Sequence, residues 1–192
     1  MIDRIKDEIE KSITVKSDII KNTTLLSKIE NLTNEILKSI KNGGKIIFCG
    51  NGGSFADSQH LAAEFVSRLR FDRAPLPSIA LGTNSSNITA IANDYGYEEV
   101  FSREIISLGK EIDIFIPIST SGNSLNILKA IKSAKDKKIK VIGLSGKDGG
   151  EMKKMCDVLL VPSESTEKIQ ESHIMIGHIV CSIVEHEYFS TK

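Results

Sequence analysis

Apolar positions along the first forty residues recur at helical spacing. Ile2, Ile5, Ile9 and Ile13 fall three and four apart, as do Leu25, Ile29, Leu32, Ile36 and Ile40, and the pattern predicts helix over 1–42. Helix formers thin out at Asn22-Thr23-Thr24, which predicts a break there, and Gly43-Gly44 ends the second helix. Beyond that point short apolar runs alternate with amphipathic stretches. KIIFC (45–49), PSIAL (77–81), IDIFIPI (112–118), KVIGL (140–144) and DVLLV (157–161) read as strands. Helices are predicted over 54–70, 86–92, 98–108, 123–136, 150–155 and from about Thr166 to Tyr188.

Strands that are apolar throughout, with helices between them, imply a parallel sheet covered on both faces. The predicted fold is therefore α/β, a doubly wound parallel sheet flanked by helices with an N-terminal helical extension. No internal repeat or low-complexity segment divides the chain, so 1–192 is read as one domain. In such folds ligands bind beyond the carboxyl ends of the strands. Three Gly- or Ser-rich turns follow strands here: GNGGS (50–54), STSGNS (119–124) and SGKDGG (145–150).

Composition narrows the partners. The chain has 192 residues with 25 basic and 25 acidic side chains, a balance that supplies no basic surface for nucleic acid. No apolar run approaches the ~18 residues that cross a bilayer, and MIDRIKDEIEKS is charged, unlike a signal peptide. Neither nucleic acid nor membrane is expected as a partner. Cys49, Cys156 and Cys181 are scattered and odd in number, which predicts buried reduced thiols in a cytoplasmic protein.

STSGNS concentrates Ser119, Thr120, Ser121 and Ser124 at the mouth of a helix. The first amides of a helix lack intrahelical partners and carry partial positive charge, so this end attracts an anion. Hydroxyls add donors with little bulk, and Gly122 allows close approach. The plainer reading makes Ser121 or Asn123 an N-cap, but one cap needs one hydroxyl and four are present. No GxxxxGK[ST] lysine accompanies them, so a phosphorylated small metabolite is expected rather than a nucleoside triphosphate.

CGNGGSFADSQHLAAE (49–64), NDYG (93–96), FSRE (101–104), ISTSGNS (118–124), LSGKDGG (144–150) and KIQESHIMIGH (168–178) together resemble the phosphoheptose isomerase family of sugar isomerase (SIS) domains. The resemblance spans nearly the whole chain with the motifs in order. It implies conversion of sedoheptulose 7-phosphate to D-glycero-D-manno-heptose 7-phosphate, an early step toward bacterial lipopolysaccharide or capsule heptoses. It also implies a cytoplasmic, zinc-dependent homotetramer with active sites between subunits.

That reaction needs a base for a carbon-bound proton, a second acid–base group and a means of polarising the carbonyl. His60 and Glu64 are spaced i,i+4 and share a helix face. A surface pair is the plainer reading of so short a pattern, but its place just beyond GNGGS favours metal ligation, and imidazole with carboxylate suits zinc. By resemblance His178 and Gln170 complete the metal set, Glu64 is the base and His178 the second acid–base group. Gln170 lies eight residues before His178, about 12 Å of helical rise, so it could instead hold sugar hydroxyls. Asn51, Gly52, Gly53, Asn93 and Asp94 match substrate contacts, and Ser119, Thr120, Ser121 and Ser124 match the phosphate cup. For Asp94 a turn before Gly96 is the rival role; Arg68 matches a family arginine that approaches the substrate, although late in the predicted helix it could instead complement the dipole. His173 is expected to be structural and His186 solvated. Glu167 stands where the family usually has Asp, which extends that carboxylate by one methylene.

Two rivals lack catalysis. One is a relative of these isomerases that binds the bacterial replication initiator and lacks the histidine corresponding to His178; the other is a module that senses phosphosugars. This chain keeps His60, Glu64, Gln170 and His178 together. The apolar stripe of the N-terminal helices exceeds what one sheet face needs, which predicts that 1–42 serves oligomerisation.

Overall fold

Five of the apolar runs form strands in the structure, a computed structural model that describes residues 1–190. They are β1 (Ile46–Gly50), β2 (Ser78–Ala80), β3 (Ile114–Ile118), β4 (Lys140–Gly146) and β5 (Asp157–Val161). All pair in parallel in the order β2-β1-β3-β4-β5. The helices are α1 (Ile2–Lys21), α2 (Thr23–Lys41), α3 (Gly53–Val66), α4 (Ser85–Tyr95), α5 (Val100–Leu108), α6 (Leu125–Asp136), α7 (Met152–Met155) and α8 (Thr166–Phe189), with a 3-10 turn at Tyr97–Glu99.

Period-two alternation along each strand feeds two cores. Ile46, Phe48, Ile114, Ile116, Ile118, Leu144 and Val161 face α2, α3 and α8. Ile47, Cys49, Phe115, Val141 and Val158 face α5 and α6. The doubly wound sheet expected from the sequence is the one observed.

Chain order reverses between β1 and β3, which pair through Gly50 and Ile118. The turns that follow both strands therefore open at the same switch point, where such sheets bind ligands.

The break near residue 22 is present: Asn22 caps α2 by accepting the Leu25 amide at 3.0 Å. The helix expected over 54–70 stops at Val66 instead. The reason is Glu185 on α8, whose carboxylate takes the amides of Leu69, Arg70 and Phe71 at 2.9, 2.7 and 3.2 Å. Those amides would otherwise have continued the helix. Arg68 is thus exposed in a loop rather than late in a helix. Of the three thiols, Cys49 and Cys181 are buried and Cys156 is only half-buried. No described helix is long and apolar enough to cross a membrane.

Candidate active site

The α3–α8 contact positions the first group of site residues. Gly177 faces Leu61, and a Cβ at 177 would run into that leucine's side chain. Close approach at this point sets His60 and Glu64 on α3 beside His178 on α8. Glu64 Oε1 lies 3.0 Å from His60 Nε2 and 3.8 Å from His178 Nε2, and the two Nε2 atoms are 3.3 Å apart. One ligand atom from each residue falls within 4.8 Å of the others.

Two imidazole nitrogens and a carboxylate oxygen converging this closely suit a divalent cation. The set is the His₂Glu donor combination that zinc accepts while keeping a position for substrate. Two Nε2 atoms facing each other at hydrogen-bond distance must otherwise share one proton. Glu64 Oε1 takes both imidazole contacts, and Oε2 has no protein partner among the described residues. Arg73 steadies the helix beneath by donating from a guanidinium nitrogen to the Glu64 backbone carbonyl at 2.8 Å.

The second group forms the cup. Ser124 is the N-cap of α6, yet its side chain caps no helix amide. Its hydroxyl accepts instead from Ser119 Oγ at 3.3 Å, while Ser121 Oγ accepts the Asn123 amide at 3.2 Å. The capping reading therefore accounts for a turn at Ser121 and leaves the mouth of α6 available to an anion. Gly122 adopts φ +66°, and a Cβ there would collide with the Gly149 carbonyl. The β3 and β4 turns consequently pack on each other, held by Gly146 N–H to Thr120 O, Met152 N–H to Gly122 O and Glu151 N–H to Asn123 Oδ1.

The remaining residues surround these two groups. Asn51, Gly52 and Gly53 connect β1 to α3, and Asn51 is bonded to Asn126 and Tyr97. The Gln170 amide lies against Gly53: its Nε2 is 2.6 Å from where a Cβ would stand. That point is seven residues before His60 along α3, about 10 Å of rise. Asn93 and Asp94 end α4, exposed, with Asn93 Nδ2 donating to Asp94 Oδ1 at 2.7 Å. Glu167 sits exposed in the first turn of α8, where Ser165 and its own amide hold its carboxyl below the usual range.

His173 is structural, as expected. It is fully buried, its Nε2 lies 3.1 Å from the Ser145 carbonyl, and burial lowers its pKa to about 4 against the pull of that carbonyl. His186 is exposed beside Ser190. Sequence reasoning passed over Asp57, one helical turn before His60 on the same face of α3. Its Oδ2 is buried with no hydrogen-bond partner among the described residues, and burial raises the carboxyl to about 6 although His60 pulls it down. The spacing Asp57-x-x-His60 was the available signal.

Comparison with known proteins adds the family context. The SIS domain model matches residues 9–146. A phosphoheptose isomerase of Aneurinibacillus thermoaerophilus is 52% identical, with 100% of this chain and 98% of that protein covered. A second from Campylobacter jejuni is 54% identical over 96% of this chain and 92% of its own. The structure of phosphoheptose isomerase from Neisseria gonorrhoeae superposes with a TM-score of 0.89 at 39% identity, over 95% of this chain and 97% of that one.

Proposed function

Because the chain belongs to the phosphoheptose isomerase family of SIS-domain proteins, we propose that it converts sedoheptulose 7-phosphate to D-glycero-D-manno-heptose 7-phosphate. The observation that carries this reading is the convergence of His60, Glu64 and His178 within 4.8 Å. A sensing module needs only the hydroxyl cup, and a replication-initiator partner needs neither group.

In this reading the phosphate rests on Ser119, Thr120, Ser121 and Ser124 at the α6 mouth. Asn51, Gly52, Gly53, Asn93, Asp94 and Gln170 line the path of the sugar. Glu64 takes the proton from carbon 1 or carbon 2 and returns it to the other carbon. Its Oε2 suits that task, being free of the imidazoles. His178 passes the proton between the adjacent hydroxyl and carbonyl oxygens, so atoms balance across the enediol. Effects of this kind contribute about 10²–10⁴ each.

His60, Glu64 and His178 would hold zinc, while the Gln170 amide, the fourth ligand implied by the resemblance, lies against Gly53 and would meet sugar hydroxyls instead. When bound, the ion would polarise the substrate carbonyl. We further propose one SIS domain over 1–192, assembled as a homotetramer through the 1–42 extension, acting in the cytoplasm in lipopolysaccharide or capsule heptose synthesis. Ile2, Ile5, Ile9 and Ile13 on α1 are each more than half exposed, which supports a subunit contact there.

The test is incubation with sedoheptulose 7-phosphate before and after chelation, following aldoheptose phosphate. Activity lost on chelation and restored by zinc is the expected result. Full turnover by metal-free protein would remove the metal assignment, and no turnover by zinc-loaded protein would remove the isomerase reading. Light scattering that found a stable monomer would contradict the assembly.

A further inference from the structure

Asn51 opens the turn after β1, and its side chain is held from two sides. Its Nδ2 donates to Asn126 Oδ1 and its Oδ1 accepts from Asn126 Nδ2, both at 2.9 Å. The Tyr97 phenol donates to the same Asn51 Oδ1 at 3.0 Å. Asn126 is buried in the first turn of α6, two residues past Ser124 of the hydroxyl cup, whereas Tyr97 is exposed in the 3-10 turn after α4.

A side-chain amide has two acceptor lone pairs and two N–H donors. Both acceptor sites of Asn51 and one of its donors are engaged, which leaves one N–H. The direction in which that N–H faces is not arbitrary. Asn126 Oδ1 also accepts the Ile127 backbone amide at 2.9 Å, a pure donor that fixes which end of the Asn126 amide is oxygen. The reciprocal pair then fixes Asn51 in turn. Helix α6 thus dictates the orientation of an amide in the β1 turn, and the same helix mouth forms the anion cup.

We infer that Asn126 and Tyr97 are positioning residues, which lock the Asn51 amide so that its remaining N–H meets a sugar oxygen while the phosphate sits on α6. The inference rests on the isomerase reading and on Asn51 as a substrate contact. It links the two ends of the substrate through one pair of amides. Loss of the clamp leaves the cup intact but lets Asn51 rotate, so turnover suffers before binding does.

The test is a double-mutant cycle on the full chain, with Asn51→Ala, Asn126→Ala, their double variant and Tyr97→Phe. Each is read by kcat and KM for sedoheptulose 7-phosphate, inhibition by inorganic phosphate, and denaturant unfolding. Asn51→Ala and Asn126→Ala should each lower kcat about tenfold, the scale of one oriented hydrogen bond. KM and phosphate inhibition should stay within about twofold, and the double variant should fall no more than about twofold below Asn51→Ala, outside the range for independent sites. Tyr97→Phe removes only a hydroxyl from an exposed ring, and should lower kcat with no change in unfolding even where Asn126→Ala folds poorly. Multiplicative kcat losses, a rise in KM alone or a wild-type kcat in Tyr97→Phe would overturn the inference. An inert wild-type protein that still shows Asn51–Asn126 coupling in unfolding would instead sink the isomerase reading, so the two failures give different data.

Discussion

Glu64 and Glu185 are two glutamates served by one arginine, and the contrast between them separates what holds the molecule from what it does. Arg73 donates to Glu185 Oε2 at 3.0 Å and to the backbone carbonyl of Glu64 at 2.8 Å. The Glu185 side chain is almost wholly buried, and three backbone amides complete its shell. Burial pushes its carboxyl up, but those amides and Arg73 outweigh burial and hold it below the usual range. The Glu64 side chain faces two imidazoles and keeps one oxygen without a protein partner among the described residues. A carboxylate whose every lone pair is answered is a strut. One left incomplete beside converging imidazoles has capacity to spare for a cation or a proton.

Substitution at the two positions should separate these roles. Glu64→Gln keeps shape and removes the base, so kcat should fall about 10²–10⁴-fold while the unfolding midpoint barely moves. A variant that retained full turnover would return Glu64 to the structural class. Glu185→Ala should do the reverse by stranding Arg73 and three amides. Breaking a buried pair costs about 3–5 kcal/mol, which for a chain of this size lowers the melting temperature by roughly 6–20 °C. A shift of a degree or two in calorimetry would show that the shell is not a strut.

A smaller effect extends the contrast to histidines. His173 has its pKa lowered from 6.5 to about 4 in the folded protein, so the unfolded chain binds its proton first as pH drops. Its contribution is fully present above 6.5 and is lost as pH falls from 6.5 to about 4, a loss of about 3 kcal/mol at 1.36 kcal/mol per pKa unit. Asp57, raised from 3.8 to about 6, works in the opposite sense over much of the same window. The comparison is therefore wild type against His173→Gln, whose stability relative to wild type should rise by about 3 kcal/mol as pH falls from 6.5 to 4. Equal slopes would remove His173 from the account.

The smallest expected change tests the cup. Ser124→Ala should raise KM about tenfold, the lower end for a hydrogen bond to a charged group, with kcat within twofold. A fall in kcat with KM unchanged would move Ser124 away from the phosphate.

Much of this was legible in the residues, unevenly. The alternating strands and helices were read nearly to their ends because a parallel sheet buried on both faces leaves continuous apolar runs. The turns after β1 and β3 were marked by glycine and hydroxyl chemistry that local geometry demands. The stripes of α1 and α2 looked alike in sequence, yet Leu25, Ile29, Leu32, Ile36 and Ile40 are buried and Ile2, Ile5, Ile9 and Ile13 are not. Periodicity reports a face; it does not say what covers it. The end of α3 was misjudged by four residues because Glu185, more than a hundred residues away, captures the amides that would have extended it.

Local order along the chain set the period of each element, the positions where glycine or a hydroxyl was required, and the i,i+4 pairing of His60 with Glu64. These are local matters, settled by backbone sterics and helix geometry within a few residues. Long-range packing brought His178 within reach of that pair, set Asn126 against Asn51 and chose which glutamate Arg73 would neutralise. Such contacts join residues more than seventy positions apart, and the first of them depends on how closely α3 and α8 pack, which the missing Cβ of Gly177 permits against Leu61.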